Sequence, residues 1–252
     1  MNNILNNKKI FLPTGRAHVS YSEMVDWLDC SFKHKLKHID KINLEKNSEH
    51  LVYGNIVHDA IEDFLKAKKD LDIEETKEKV REGLLEFKEV SDDPIIYQEW
   101  IDSVEKFFLE FPIFMEKTFP SMEVIDAEHY LNEKISEKTL YNFKGFIDGI
   151  LKCEETYWII DWKTSINGWK AGYKSKKDDT ITRSQLVLYK NYWAKQNNIP
   201  IENIKCAFVI LKRELQKNKE QCELFEVIVE EEQIKKSLTV FISISGYIAG
   251  IR

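Results

Sequence analysis

What this chain lacks narrows it first. None of its four cysteines, Cys30, Cys153, Cys206 and Cys222, forms a C-x-x-C pair. That removes the usual local signature of a zinc or iron–sulfur site, and in a reducing compartment such thiols behave as small buried hydrophobes. Glycine (9) and proline (5) are scarce among 252 residues, which argues against long flexible linkers. No apolar run reaches the roughly 18 residues a membrane span needs. The opening MNNILNNKKI has no apolar core of a signal peptide, so an intracellular location is expected. Net charge is −6, so no global positive field draws in nucleic acid and any such binding must use local basic patches. Internal repeats and low-complexity tracts are missing too.

What remains is an ordinary globular composition, 43% hydrophobic and 32% charged, with enough length to bury a substantial core. Ser20 and Glu23 have the S-x-x-E form of a capping box, placing a helix start there. That helix ends in SFKHKLKHIDK, with Lys33, His34, Lys35, Lys37, His38 and Lys41. These cations either form a solvated face suited to a helix C-terminus or contact phosphate. A second helix reads from 51 to 69, with Ile56, Val57, Ala60, Ile61, Phe64 and Leu65 as its apolar stripe. His58 lies beside that stripe, as a structural or solvated histidine or as a ligand, and Glu62 shares its face one turn on. Gly54 allows close backbone approach. Residues 70–118 continue helically, carry an aromatic core stripe, and are expected to break at Pro112.

From about residue 122 the pattern turns to strands. VIDAEHYLNEKI (124–135) places Glu128 near the middle of one. FKGFIDGIL and YWIIDWKT, separated by CEET, read as a β-hairpin with a buried face. Alternation puts Asp161 and Lys163 on one side and Trp162 on the other. The fold-back brings Asp148 towards Asp161. Two buried carboxylates in proximity are costly unless a cation neutralises them, so a divalent metal with a lysine beside it is the economical explanation. The alternative is an Asp capping a turn at a strand end. The segment 166–179 interleaves Lys170, Lys174, Lys176 and Lys177 with Trp169 and Tyr173, either a solvated loop or a surface for phosphate tracking and base stacking. A helix over about 180–197 places Gln185 and Tyr189 at i and i+4. Strands at 203–212 and 222–230 and a terminal helix complete the chain.

Together, SYSEMVDWLDCSFKHKL (20–36), GNIVH (54–58), GFIDGIL (145–151), IIDWKTS (159–165) and QLVLYK (185–190) resemble the RecB-like branch of the PD-(D/E)XK nuclease superfamily. That branch includes the CRISPR adaptation nucleases and many phage exonucleases. The resemblance implies an α/β (α+β) restriction-endonuclease-like core, a mixed central sheet flanked by helices, as one domain over 1–252 with segment 70–118 as a lobe or insertion. It implies His58, Asp148, Asp161 and the Trp162 carbonyl as ligands of Mg²⁺ or Mn²⁺, a donor set of hard oxygens and one imidazole that suits those ions. Lys163 would hold and help deprotonate the attacking water and stabilise charge on phosphorus. Gln185 and Tyr189 match the Q-x-x-x-Y signature and could position the hairpin and contact DNA, or be a surface amide and a core tyrosine. Glu128 matches an acidic position often found before Asp148, as a supporting or second-metal residue.

Two departures stand out. Ser31 replaces the proline expected after Cys30, and Cys206 and Cys222 lack the close C-terminal spacing of iron–sulfur members, so no cluster is expected. Helicase motifs are missing, which leaves a stand-alone nuclease or a subunit. The implied activity is a metal-dependent DNA exonuclease on single-stranded DNA or duplex ends. The alternatives are a structure- or end-selective endonuclease, or a non-catalytic DNA-binding subunit of a recombination or CRISPR-related complex. The cytoplasm, or a host cytoplasm if the Lys- and Asn-rich chain is viral, is the expected location.

Overall fold

The computed structural model describes residues 12–42, 48–67, 70–88, 95–136, 139, 141–166, 168–169, 179–214 and 220–250. Among them are seven α-helices: α1 (Tyr21–Asp29), α2 (Ser31–His34), α3 (Glu49–Ala67), α4 (Ile73–Lys88), α5 (Ile95–Thr118), α6 (Thr180–Asn197) and α7 (Glu231–Ile248). Six strands join them: β1 (His18–Ser20), β2 (Glu123–Lys134), β3 (Asn142–Cys153), β4 (Thr156–Ser165), β5 (Ile204–Lys212) and β6 (Cys222–Val227). The strands pair in the order β1-β3-β4-β5-β6, with β2 also on β3. β1 with β3 and β4 with β5 are parallel; β3 with β4 and β5 with β6 are antiparallel. The result is a mixed α/β sheet.

The β3–β4 hairpin forms where the two β-branched runs predict it. Its register closes at Cys153↔Thr156, leaving Glu154 and Glu155 to turn the chain, with Glu154 at φ +53. β4 then pairs parallel with β5 over nine residues, from Tyr157↔Ile204 to Ser165↔Lys212. A parallel pair needs a crossover, and α6 supplies it. Asp179 caps its start, accepting from the Ile181 and Thr182 N–H groups, and Asn198 closes it at φ +53. β4 and β5 are buried along their centres, as strands covered on both faces must be.

The chain forms two compact units. One comprises Lys46–His129 and Phe146–Glu230. Its core gathers Tyr53, Val57, Ile61 and Leu65 of α3, Val80 and Leu84 of α4, an aromatic row on α5, and Leu151, Ile160 and Trp162 of the hairpin. Phe111 meets Trp162 edge-on, ring centroids 5.6 Å apart. The helical segment thus packs on the strand that carries Asp161 and Lys163. α5 runs unbroken through Pro112, contrary to the expected interruption. The pyrrolidine is exposed, on the side where carbonyls can turn to water, while Phe108, Phe111 and Met115 anchor the opposite face.

The other unit comprises Met1–Glu45, Tyr130–Gly145 and Glu231–Arg252. Phe143 and Phe241 meet at its centre, 5.2 Å apart. Ser20 caps α1 by accepting from the Glu23 N–H at 3.1 Å. Only that half of the capping box is made, because the Glu23 carboxylate turns inward to His34 Nε2 at 3.1 Å. The basic stretch is tied into internal ion pairs, with the Lys33 and Lys35 side chains still exposed. Lys33 (3.2 Å), Lys37 (2.9 Å) and His38 (2.8 Å) converge on Asp26, and Lys35 pairs with Asp40. His34 and His38 are buried and stack on one another, 5.0 Å apart. Among the cysteines, Cys206 and Cys222 are buried and Cys153 is half-buried. Cys30 is exposed because it sits in extended backbone at the break between α1 and α2.

Burial of Asp26 works against its charge, but the hydrogen bonds from His38, Lys37 and Lys33 outweigh it and bring its pKa down to about 2. A carboxylate depressed by folding contributes stability that is complete above its unfolded pKa, near 3.8, and disappears as pH falls through about 2. Asp26→Asn is therefore expected to lower stability by about 1–2 kcal/mol at neutral pH. The gap to wild type should close between pH 4 and 2, as denaturant melts across that range will show.

Candidate active site

The larger unit carries the site residues. His58 stands on α3, Glu128 on β2, Asp148 on β3, Asp161 and Lys163 on β4, and Gln185 and Tyr189 on α6. One ligand atom each from His58, Glu128 and Asp148 lies within 4.8 Å of the others, and His58 Nδ1 is 3.6 Å from Asp148 Oδ2. Asp161 sits beside this trio, with one oxygen on each of two donors. Its Oδ1 accepts from Gln185 Nε2 at 2.7 Å, and its Oδ2 meets Lys163 Nζ at 2.6 Å. The second contact is an ion pair without hydrogen-bond alignment, so Oδ2 is buried with an unfilled lone pair.

The hairpin geometry explains how the acids converge. The recorded β3–β4 pairing stops at Gly149↔Ile160, one step short of Asp148 and Asp161. There the Trp162 N–H donates to Asp148 Oδ2 at 2.8 Å. A side chain thus takes a main-chain donor, and both carboxylates stay at the end of the ladder. α3 lies against the same strand end. A Cβ on Gly54 would come 3.3 Å from Thr164 Oγ1, and one turn later the His58 ring lies beside the Trp162 main chain. Glycine at 54 permits this approach.

Electrostatics follow from the crowding. Burial, then the charge of Asp161, raises the Asp148 pKa well above the ordinary carboxylate range. Glu128 is raised by burial and by the nearby Glu62. Burial opposes the charge of Lys163, but Asp161 and Asp148 outweigh it, so its pKa is raised and it is an ammonium at neutral pH. Burial lowers the His58 pKa, which leaves a neutral ring able to act as a lone-pair donor. Excess negative charge with a neutral imidazole is the environment of a hard divalent cation.

A family model, the PD-(D/E)XK nuclease superfamily, matches residues 18–242. The chain belongs to that superfamily. Among solved structures, this nuclease superfamily member is similar to a Eubacterium rectale protein with a provisional exonuclease name. That match has 11% identity and a TM-score of 0.58, covering all of this chain and 88% of the other. Likeness at that identity speaks for the fold. A second structure, SSO0001, shares 14% identity over 86% of this chain and 85% of its own, at a TM-score of 0.31. No curated protein matches in sequence. Among the described residues, no helix is long and apolar enough to cross a membrane.

The structure places each predicted site residue in this one unit, but in two subgroups. His58, Glu128 and Asp148 form the tight trio, whereas Asp161 is engaged by Lys163 and Gln185. Gln185 Nε2 also reaches the hydroxyl of Tyr189 at 3.3 Å, and Tyr189 is buried behind it, which raises its pKa. Glu128, expected as a supporting or second-metal residue, is itself a member of the trio. Its backbone takes φ +50 in mid-strand, a conformation that simple strand alternation does not anticipate. Glu62 is paired with Lys66 at 2.5 Å. Trp169 is buried against Phe208, ring centroids 5.0 Å apart, so it packs the fold instead of presenting a stacking face. Lys170, Tyr173, Lys174, Lys176 and Lys177 lie outside the described residues.

Folding raises the Asp148 pKa, so the acid destabilises the fold increasingly as pH climbs above its unfolded pKa towards its folded one. In a chelator, Asp148→Asn is expected to melt a few degrees higher than wild type at pH 7.5. The difference should vanish near pH 4, as scanning fluorimetry over pH will show.

Proposed function

We propose that the chain is a metal-dependent deoxyribonuclease of the RecB-like branch, an exonuclease that hydrolyses phosphodiesters in single-stranded DNA or at duplex ends. The observation that carries this reading is the ammonium of Lys163 held 2.6 Å from Asp161, beside a trio of imidazole and carboxylates within 4.8 Å. Such a set fits a cation on the structure's own terms. Asp161 Oδ2 is a buried oxygen with no aligned donor, and the trio combines hard oxygens with one nitrogen. His58, Asp148 and Asp161, with the Trp162 main-chain carbonyl, would hold Mg²⁺ or Mn²⁺, and Glu128 would add a further carboxylate. The ion, when bound, supplies Lewis acidity towards the phosphate and lowers the pKa of a bound water.

The protein's own groups do the rest. Lys163, as an ammonium, donates to the attacking water or to a phosphate oxygen and offsets charge that builds on phosphorus. Gln185 fixes the rotamer of Asp161, and Tyr189 steadies Gln185 from behind. Tyr189 is buried and Gln185 half-buried, and their bonding to one another and to Asp161 supports a positioning role over contact with DNA. The neutral His58 ring keeps a lone pair available at working pH. The exonuclease name of the similar Eubacterium rectale protein supports action at ends.

Lys163→Ala and Asp161→Ala are each expected to reduce cleavage about 10³-fold or more. Gln185→Ala should reduce it about 10–100-fold, the usual effect of losing a partner that orients a ligand. Labelled linear single-stranded, linear duplex and closed circular DNA with Mg²⁺ or Mn²⁺ provide the assay. Loss of linear substrates alone supports the exonuclease; nicked circles would make it an endonuclease. Lack of metal-dependent cleavage by wild type would overturn the proposal.

A further inference from the structure

Arg213, at the end of β5, is 5% exposed, and among the described residues the carboxylate that acts on it, Glu49, does so without an ion pair. Its Nε is buried without a hydrogen-bond partner. The guanidinium lies over Trp100 (4.5 Å) and Tyr53 (5.7 Å), and its Nη1 is 3.0 Å from Nδ1 of His50. A buried cation is normally paired with an anion or heavily hydrogen-bonded; this one has two aromatic faces and one imidazole. Glu49 acts on it only through space. The contact with His50 has one chemical solution. Arginine can only donate, so His50 Nδ1 accepts and Nε2 carries the proton. Burial and the Arg213 charge both lower the His50 pKa, in keeping with that neutral form. His50 itself is exposed.

The position of this pair suggests its role. α3 and β4 touch at regular steps: His58 with the Trp162 main chain, then Gly54 with Thr164. A step further along the strand, the Arg213 N–H donates to the Ser165 carbonyl at 2.8 Å. His50, Gly54 and His58 are four residues apart on one helix face. The strip from His58 to His50 is therefore about 12 Å long at ~1.5 Å per residue, the span of a few linkages of a nucleic-acid strand.

Resting on the nuclease reading above, we infer that His50, backed by the buried charge of Arg213, is a phosphate-binding subsite for the substrate strand, a few nucleotides from the scissile bond. His50 Nε2–H donates to a phosphodiester oxygen, and the guanidinium behind it supplies the attraction. Arg213 is a positioning residue in this scheme and touches no substrate.

The test uses the full chain in EDTA, with a fluorescein-labelled 20-nucleotide single strand and anisotropy read over a range of NaCl concentrations. His50→Ala should weaken binding about tenfold, the size of one hydrogen bond to a charged group, and leave the salt slope in place, because the neutral ring releases no counterion and Arg213 keeps its charge. A scan of single neutral methylphosphonates should find one linkage, a few steps from the cleaved end, whose neutralisation weakens wild type about tenfold and His50→Ala less than twofold. A purely structural His50 would alter the melting temperature but leave the affinity of the folded protein and the scan unchanged, and that result overturns the inference. Wild-type cleavage with Mn²⁺ alongside an unaffected His50→Ala variant would sink this subsite and leave the nuclease standing. A wild type that neither binds nor cleaves the strand would sink both.

Discussion

The hydrogen bond from the Trp162 main chain to the Asp148 carboxylate is the constraint on which the site depends. It substitutes a side-chain acceptor for a ladder partner at the point where β3 and β4 stop pairing, and it fixes two acidic side chains at one strand end. The donor residue is itself immovable, because the Trp162 indole is buried edge-on against Phe111 of α5. Packing energy from the aromatic row of α5 is thus coupled to the placement of Asp148. In this way the helical segment, which carries no evident chemistry, determines how rigidly the chemistry is held.

A second layer works through charge. Asp161 divides its two oxygens between an ammonium from its own strand and an amide from the crossover helix. Each donor has a different anchor, so the carboxylate cannot rotate without losing one of them. Burial makes the negative charges costly to keep, and the raised pKa of Asp148 measures that cost. The fold tolerates it because Lys163 and the Trp162 N–H offset part of it, and because some strain at functional positions is characteristic of working sites.

Much of this was legible in the sequence, for reasons that differ by element. The hairpin could be read because its two runs are rich in β-branched and aromatic residues and because D-x-K alternation has one outcome on a strand. α6 could be read because it must cross between parallel strands, with Gln185 and Tyr189 one turn apart. The fate of the basic stretch at 33–41 could not. Its counter-charges, Glu23 and Asp26, lie on the neighbouring helix, and no local pattern reports a pairing made by tertiary packing. The nearness of Glu128 was hidden as well, since a positive φ inside β2 breaks the two-residue rule that strand reading relies on. Arg213 and His50 lie far apart in the chain and carry no motif. Their association exists only once α3 is laid along β4.

Gly54 sets the gauge of that contact. The helix bearing His58 and the strand bearing Lys163 rest on each other where a methyl group would already press on the Thr164 hydroxyl. The span between imidazole and ammonium is accordingly set by a hydrogen atom, and any added carbon must push the Thr164 hydroxyl aside.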